Sequence, residues 1–246
     1  MSFASVNGVS LRYDWRPGNG VPLVLLHEMG GALESWDLVL RALPDRAALR
    51  LDLRGFGLSE KPAGPMTMAA LAADVAALVD HLRLGPVHLV GGAVGGGVAL
   101  ATADLLGARA ARVTALAPAT GLAPERQAGA LALAERLARD GIRDFLETDM
   151  IPSAWPEPRF DRQGEGFAIF RATQLATAPE TLARAYRMLA ATDLTTALGR
   201  LPCPLHIVAG LHDRARPPAM LAALSATVPG ARFTPLDSGH FMALQD

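Results

Sequence analysis

Short apolar runs alternate with helix-spaced segments along most of the chain. Residues 8–15, GVSLRYDW, partly alternate between apolar and polar and suit an early edge strand. After the turn PGNG come compact apolar runs at 22–27, 47–53, 86–92 and 112–118, and later at 204–210 and 232–237. Runs without alternation are the mark of strands buried on both faces of a sheet. Residues 33–43 carry helix-spaced Leu and Trp. Residues 68–84, MAALAADVAALVDHLRL, place apolar side chains at i, i+3 and i+4, with Asp74, Asp80 and Arg83 off that stripe. That spacing predicts an amphipathic helix ending at Gly85-Pro86. A helix of small residues is expected over about 95–106. Short buried strands alternating with helices predict an α/β fold, a doubly wound and mostly parallel sheet.

One region breaks the alternation. Between Pro118 and Pro202 the pattern is helical, with two amphipathic stretches, ALALAERLARDGIRDFLE and ETLARAYRMLAATDL. The expected organisation is a core from residues 1–118 and 201–246, with a helical cap at 119–200 over the C-terminal edge of the sheet. After the last expected strand there is room for at most a turn or two of helix before residue 246.

Composition narrows the function classes. With 23 Lys+Arg against 24 Asp+Glu, no charge imbalance argues for nucleic acid or an anionic membrane. The single cysteine, Cys203, excludes an internal disulfide framework and fits a reducing compartment. The N-terminus has no basic start followed by an apolar run, and no apolar stretch approaches the ~18 residues of a spanning helix. The expectation is a cytoplasmic protein, a monomer or small oligomer such as a homodimer, acting on a small molecule. No histidine has metal-ligand spacing with Cys, Asp or Glu, so no metal is expected. The glycines at 91–97 lack the G-x-G-x-x-G spacing and any following P-loop lysine, which excludes a nucleotide-binding reading.

Five motifs stand at strand ends. LVLLHEMGGALESW opens a strand into a turn at His27. LDLRGFGLSEKP has a D-x-R-G-x-G-x-S form. VHLVGGAVGGGVAL occupies the place of a G-x-S-x-G nucleophile elbow. AGLHDRARPP places Asp213 after a late strand, and DSGHF places His240 after the last one. In this order the chain resembles the α/β-hydrolase superfamily from about residue 8 onward, in its esterase, enol-lactonase and aminoacrylate-hydrolase-like branch. The resemblance implies His240 as general base, Asp213 as the acid that orients it, and Ala93 at the elbow tip. It implies oxyanion donors in the backbone N–H groups of Val94 and Met29, and no cofactor. The reaction implied is hydrolysis of a small ester, lactone or amide- or enamine-like metabolite.

The departure is Ala93, where the family carries a nucleophile. Three readings stand. Ala93 is a Ser→Ala replacement; or it is natural and leaves space for a water activated by His240 and Asp213; or the pocket only binds a ligand. The same fold also hosts lyases and decarboxylases. The aminoacrylate-hydrolase branch shares an Ala at the tip and a Trp-x-x-x-Arg feature similar to Trp155 and Arg159 in PSAWPEPRF. Glu28 is a second departure, because His-Gly is usual there. Its carboxylate points to solvent, pairs with an arginine, acts as an acid or base, or binds a substrate amine. Gly92 is a third, because a bulkier residue often precedes the tip.

Substrate contacts are expected from Glu28, Trp155, Arg159 and Phe160, with Arg54 and Arg159 as candidate carboxylate anchors. Trp155, Phe160, Phe167, Phe170 and Met150 lie in the expected cap, where some of them line an apolar pocket or all simply pack the cap. His27 is expected to order the oxyanion loop, His81 to face solvent, and His88 and His206 to be hydrogen-bonded core residues. His212 and Cys203 are read as structural, and Trp36 as core.

Overall fold

A computed structural model describes residues 1–157 and 159–245. Pro158, inside the Trp-x-x-x-Arg feature, and Asp246, the last residue of the expected core segment, lie outside the described residues. Eight strands form one sheet in the order β1-β2-β4-β3-β5-β6-β7-β8. They are β1 (Ser2–Val6), β2 (Val9–Arg16), β3 (Asn19–Leu26), β4 (Arg46–Leu51), β5 (Val87–Gly92), β6 (Ala110–Leu116), β7 (Leu205–Gly210) and β8 (Arg232–Leu236). β1 and β2 run antiparallel to their neighbours, and the remaining pairings are parallel. The fold is therefore the predicted doubly wound, mostly parallel sheet.

The edge differs from expectation. β2 is the second strand, and β1 lies outside it. The two join through Asn7-Gly8, both at positive φ (48° and 72°), as a two-residue hairpin of the tight primed type requires. That dipeptide was the available signal for β1.

The helices are α1 (Asp37–Ala42), α2 (Met68–His81), α3 (Val94–Leu106), α4 (Pro124–Asp140), α5 (Arg143–Phe145), α6 (Ile151–Ala154), α7 (Glu165–Ala176), α8 (Pro179–Ala191), α9 (Thr195–Leu198), α10 (Pro218–Ala226) and α11 (Met242–Gln245). Among the described residues, none is long and apolar enough to cross a membrane. α2 starts on a Thr67 cap whose side chain accepts from the Ala70 N–H. It stops four residues before Gly85, because Arg83 turns left-handed (φ 52°) and the Leu84 N–H reaches back to Val79. Asp74, read as off the apolar stripe, is buried. It is held there by the Arg54 guanidinium and the Asn7 amide, so the charge enters the core already paired.

α4 to α9 all fall between β6 and β7. α4 and α8 pack against each other, and a separate apolar cluster forms around Leu137, Phe145, Trp155, Phe170 and Leu182. The main core lies between α2, α3 and the sheet. Gly141 (φ 82°) breaks the first amphipathic stretch, so α4 ends there rather than running on to Glu147.

On one face of the sheet, His88 bonds to Thr114 Oγ1 across β5–β6, and His206 bonds to Thr234 Oγ1 across β7–β8, each at 2.9 Å. Burial first, then the Arg112 and Arg46 charges, push His88 down to about 4. His88 thus stays neutral when folded and takes up a proton near its ordinary value when unfolded. Its contribution is fully present above about pH 6.5 and is lost as pH falls toward 4. His88→Gln should flatten the drop in unfolding free energy between pH 7 and pH 5 by roughly 1 kcal/mol, allowing for its partial exposure. Urea titrations at the two pH values measure this. An unchanged slope would mean that His88 is not the group being titrated.

Candidate active site

The chain goes from β3 out to β4 and returns to β5 on the other side of β3, so the sheet reverses its winding direction between β3 and β5. Open α/β sheets bind ligands beyond the carboxyl ends of strands at such a point. Two turns meet there. After β3 comes His27-Glu28-Met29, and after β5 comes Ala93.

His27 is fully buried and uses both ring nitrogens. Nε2 accepts from the Leu53 N–H at 2.9 Å, so Nδ1 carries the proton and donates to the Glu28 carbonyl at 2.7 Å. The histidine therefore ties the β3 turn to the end of β4. From the insertion, the Gln174 amide donates to the Met29 carbonyl at 2.9 Å, and the Thr177 hydroxyl donates to the Gly30 carbonyl at 3.2 Å. The turn after β3 is thus fixed from below by His27 and from above by α7. Gln174 was not legible as a positioning residue, since it stands 145 positions away from Met29.

Ala93 adopts φ 49° and ψ −113°, a strained conformation for a residue with a Cβ. Its carbonyl accepts from the Gly96, Gly97 and Ala119 N–H groups, and its own N–H donates to Leu116. This is the sharp strand-to-helix turn of a nucleophile elbow, with a methyl group at its tip. Val94 begins α3, whose N-terminus favours negative charge. Neither the Val94 nor the Met29 N–H has a hydrogen-bond partner among the described residues, and both residues line the same cavity.

Asp213 stands after β7 and His240 after β8. Asp213 Oδ1 accepts the N–H groups of Ala215 (2.8 Å) and Arg216 (2.9 Å), and Oδ2 lies 2.7 Å from His240 Nδ1. The carboxylate is fully buried, while the imidazole is 14% exposed and lines the cavity. A carboxylate can only accept, so Nδ1 donates and Nε2 keeps a free lone pair.

The cavity measures about 550 Å³ and is bounded below by Glu28, Met29, Ala93, Val94 and His240. Helices α4, α5 and α8 and the turn before α6 supply Leu133, Phe145, Met150 and Leu189 above. Glu28 neither points to solvent nor pairs with an arginine. It is buried at 6% exposure, takes the Ser35 hydroxyl at 2.9 Å, and borders the cavity beside Ala93.

Other expected contacts lie elsewhere. Trp155 stacks on Phe170 at 5.3 Å, meets Phe160, Phe167 and Phe241, and donates its indole N–H to the Asp161 carbonyl. Phe160 packs between Trp155, His212 and the Arg159 guanidinium. Both rings are buried away from the cavity, in a cluster of five aromatic side chains that pack on one another. Arg159 pairs with Asp237 at 2.8 Å on the outer surface, and Arg54 is taken by Asp74. Met150 does reach the cavity. Ser59 is a brace, bonded to the Arg12 N–H and the Asp52 carbonyl. His212 bonds to Asp237, His81 is exposed, Trp36 is buried, and half-buried Cys203 has its thiol pushed up by burial. Among the described residues, no cluster of His, Cys, Asp and Glu is arranged to hold a metal.

The arginines that do reach the cavity are Arg126 and Arg216, which sequence reasoning missed. The signal was the place of Arg216 three residues beyond the acid, in the turn that Asp213 itself organises.

Known proteins share this fold. The chain is similar to a thermophilic esterase from Thermogutta terrifontis solved with malate bound, at 30% identity and a TM-score of 0.89 over 99% of this chain and 92% of that one. It is also similar to an enol-lactonase from Burkholderia xenovorans LB400, at 29% identity and a TM-score of 0.85, covering 98% and 93% of the two chains. In sequence it resembles the dihydrolipoyllysine-residue acetyltransferase component of an acetoin cleaving system from Pseudomonas putida, 39% identical over 118 residues. That match takes in 47% of this chain and 32% of the relative, so this chain aligns to about a third of that longer protein. The profile of the alpha/beta hydrolase family matches residues 23–246, which contain the elbow turn, the acid and the histidine. With the strand order and the paired Asp213 and His240 already in place, the chain belongs to the alpha/beta hydrolase family.

Proposed function

We propose that the protein hydrolyses a small ester, lactone or amide- or enamine-like metabolite without a covalent intermediate, using water in the space beside the Ala93 methyl group. The observation that carries this reading is the Asp213–His240 pair, 2.7 Å apart and facing a cavity that also holds two backbone N–H groups without partners. His240 Nε2 takes a proton from the water as its oxygen adds to the substrate carbonyl. The negative charge passes to the carbonyl oxygen, which the Met29 and Val94 N–H groups receive. The imidazolium, stabilised by Asp213, then gives the proton to the leaving oxygen or nitrogen as that bond breaks. Without a serine the machinery suits labile substrates better than stable esters, because oxyanion stabilisation and binding alone supply roughly 10³–10⁴ over water.

Glu28 favours a second reading. A buried carboxylate and an imidazole on one cavity form an acid–base pair for proton transfer at carbon, the chemistry of a lyase or decarboxylase. The two readings part on the fate of water. In H₂¹⁸O, hydrolysis places one heavy oxygen in the acid product, and lyase chemistry does not. For the hydrolytic reading, His240→Ala should lower kcat about 100-fold with the fold intact, and intact mass should show no acyl adduct on the parent protein during turnover. Unchanged turnover after His240→Ala overturns the dyad.

A further inference from the structure

We infer that the cavity takes an anionic substrate, one whose carboxylate docks on Arg216 and Arg126 while its carbonyl lies over Ala93. This rests on the hydrolytic reading above and names its substrate class. Arg216 is 94% buried by its 6% exposure, yet its guanidinium makes one contact among the described residues, from Nη2 to the Gly121 carbonyl at 3.3 Å. The rest of the group borders the cavity. Asp213, the acid nearest in sequence, is already committed to His240 and to two backbone N–H groups. Arg126 reaches in from α4 and holds only the Ala215 carbonyl, at 3.3 Å. Neither arginine has a carboxylate partner among the described residues. Burial, then the like charge of Arg126, push Arg216 down to about 10 against the weaker attraction of Asp213, so Arg216 is still charged at neutral pH.

Burying a cation without a counter-ion beside a second cation is unfavourable unless something anionic completes the set. The other acids on the cavity do not. Asp149 is paired with Arg136 at 2.6 Å. Glu28 follows β3, whereas Arg216 follows β7, three strands away in the sheet. The reacting position at Ala93, after β5, falls between them. The lining is otherwise mostly apolar, which fits a short hydrocarbon spacer between carboxylate and carbonyl. A planar guanidinium suits a carboxylate because it offers two parallel N–H donors.

The test uses the whole protein and two kinds of probe. Glutarate, which cannot be hydrolysed, is titrated by calorimetry. The 4-nitrophenyl half-ester of glutarate is compared in kcat/KM with 4-nitrophenyl pentanoate, where a methyl replaces the carboxylate. Glutarate should bind the parent protein, bind Arg216→Met about 10- to 100-fold more weakly, and recover in part with Arg216→Lys. The half-ester should be preferred over the pentanoate about tenfold or more by the parent protein, and that ratio should collapse in Arg216→Met. Arg126→Gln, at the exposed rim, should show the same trend more weakly. Arg216→Met should also raise the melting temperature of the ligand-free protein, since it removes an unpaired buried charge; this separates loss of binding from loss of fold. Glutarate binding that depends on Arg216 without turnover of either ester upholds the anchor and sinks the hydrolytic reading. Turnover of both esters with no preference, or glutarate affinity unchanged in Arg216→Met, overturns the anchor.

Discussion

The Ala93→Ser variant should hydrolyse 4-nitrophenyl acetate about 10³-fold faster than the parent protein, with a pre-steady-state burst and a covalent adduct one acetyl group heavier. Position 93 already holds a Cβ in the strained elbow conformation, so serine adds one oxygen atom and no new backbone strain. That oxygen enters the cavity bordered by His240, whose Nε2 is free because Nδ1 is bonded to Asp213. The Val94 N–H stands one residue further on, and the turn that carries the Met29 N–H is fixed by His27 on the Glu28 carbonyl and by Gln174 on the Met29 carbonyl. An activated nucleophile, its base, the orienting acid and the oxyanion donors would then be complete. One group opposes the gain. Glu28 places a carboxylate beside the oxyanion donors, and in a site with little water it disfavours a second negative charge. Adding Glu28→Gln to Ala93→Ser should therefore raise the rate further, about tenfold or more. Burst kinetics and intact mass read both effects. If the serine variant forms no adduct and gains less than about threefold, the dyad and the free N–H groups are not aligned for acyl transfer, and the lyase reading takes precedence.

The strand pattern was legible because a sheet buried on both faces forces uninterrupted apolar runs. The pairing of Asp213 with His240 was legible because strand ends at that edge of the sheet are few and ordered. What failed depends on partners distant in sequence. Asp74 read as a charge off the apolar stripe of its helix and Arg54 as a candidate carboxylate anchor, and they become structural only because the fold brings them together. Arg159 and Arg216 look alike as letters. One ends on the surface against Asp237, and the other is sealed under the insertion with only a carbonyl oxygen. Trp155 and Phe160 carried a correct expectation of apolar burial, but burial against one another removes them from the cavity. Glu28 was undecidable because its direction is set by Ser35, a turn later, whose hydroxyl draws the carboxylate inward.

A tight contact behind the site gives the other large effect. Gly95→Ala should destabilise the protein by about 4 kcal/mol, lowering the melting temperature by about 10 °C, and should abolish activity in what remains folded. A Cβ at Gly95 would lie 2.2 Å from the Leu26 carbonyl oxygen and 2.5 Å from that of His27. Both atoms are backbone at the end of β3, and β3 is hydrogen-bonded on both sides, so neither yields as a flexible side chain would. Gly95 is not at positive φ, so the effect is purely one of space. The remaining accommodation is for α3 to lift away from β3. That shift carries Val94 with it and separates its N–H from that of Met29, which is why catalysis fails along with stability. Gly92→Ala supplies the control. It lies on the same turn, one residue before the tip, and a Cβ there meets nothing within 4 Å. Its expected change is within about 0.5 kcal/mol. Thermal melts and urea midpoints of the two variants, measured side by side, decide the matter: equal stability would mean that α3 does not depend on close approach to β3, and that the oxyanion donors are held by something other than this glycine contact.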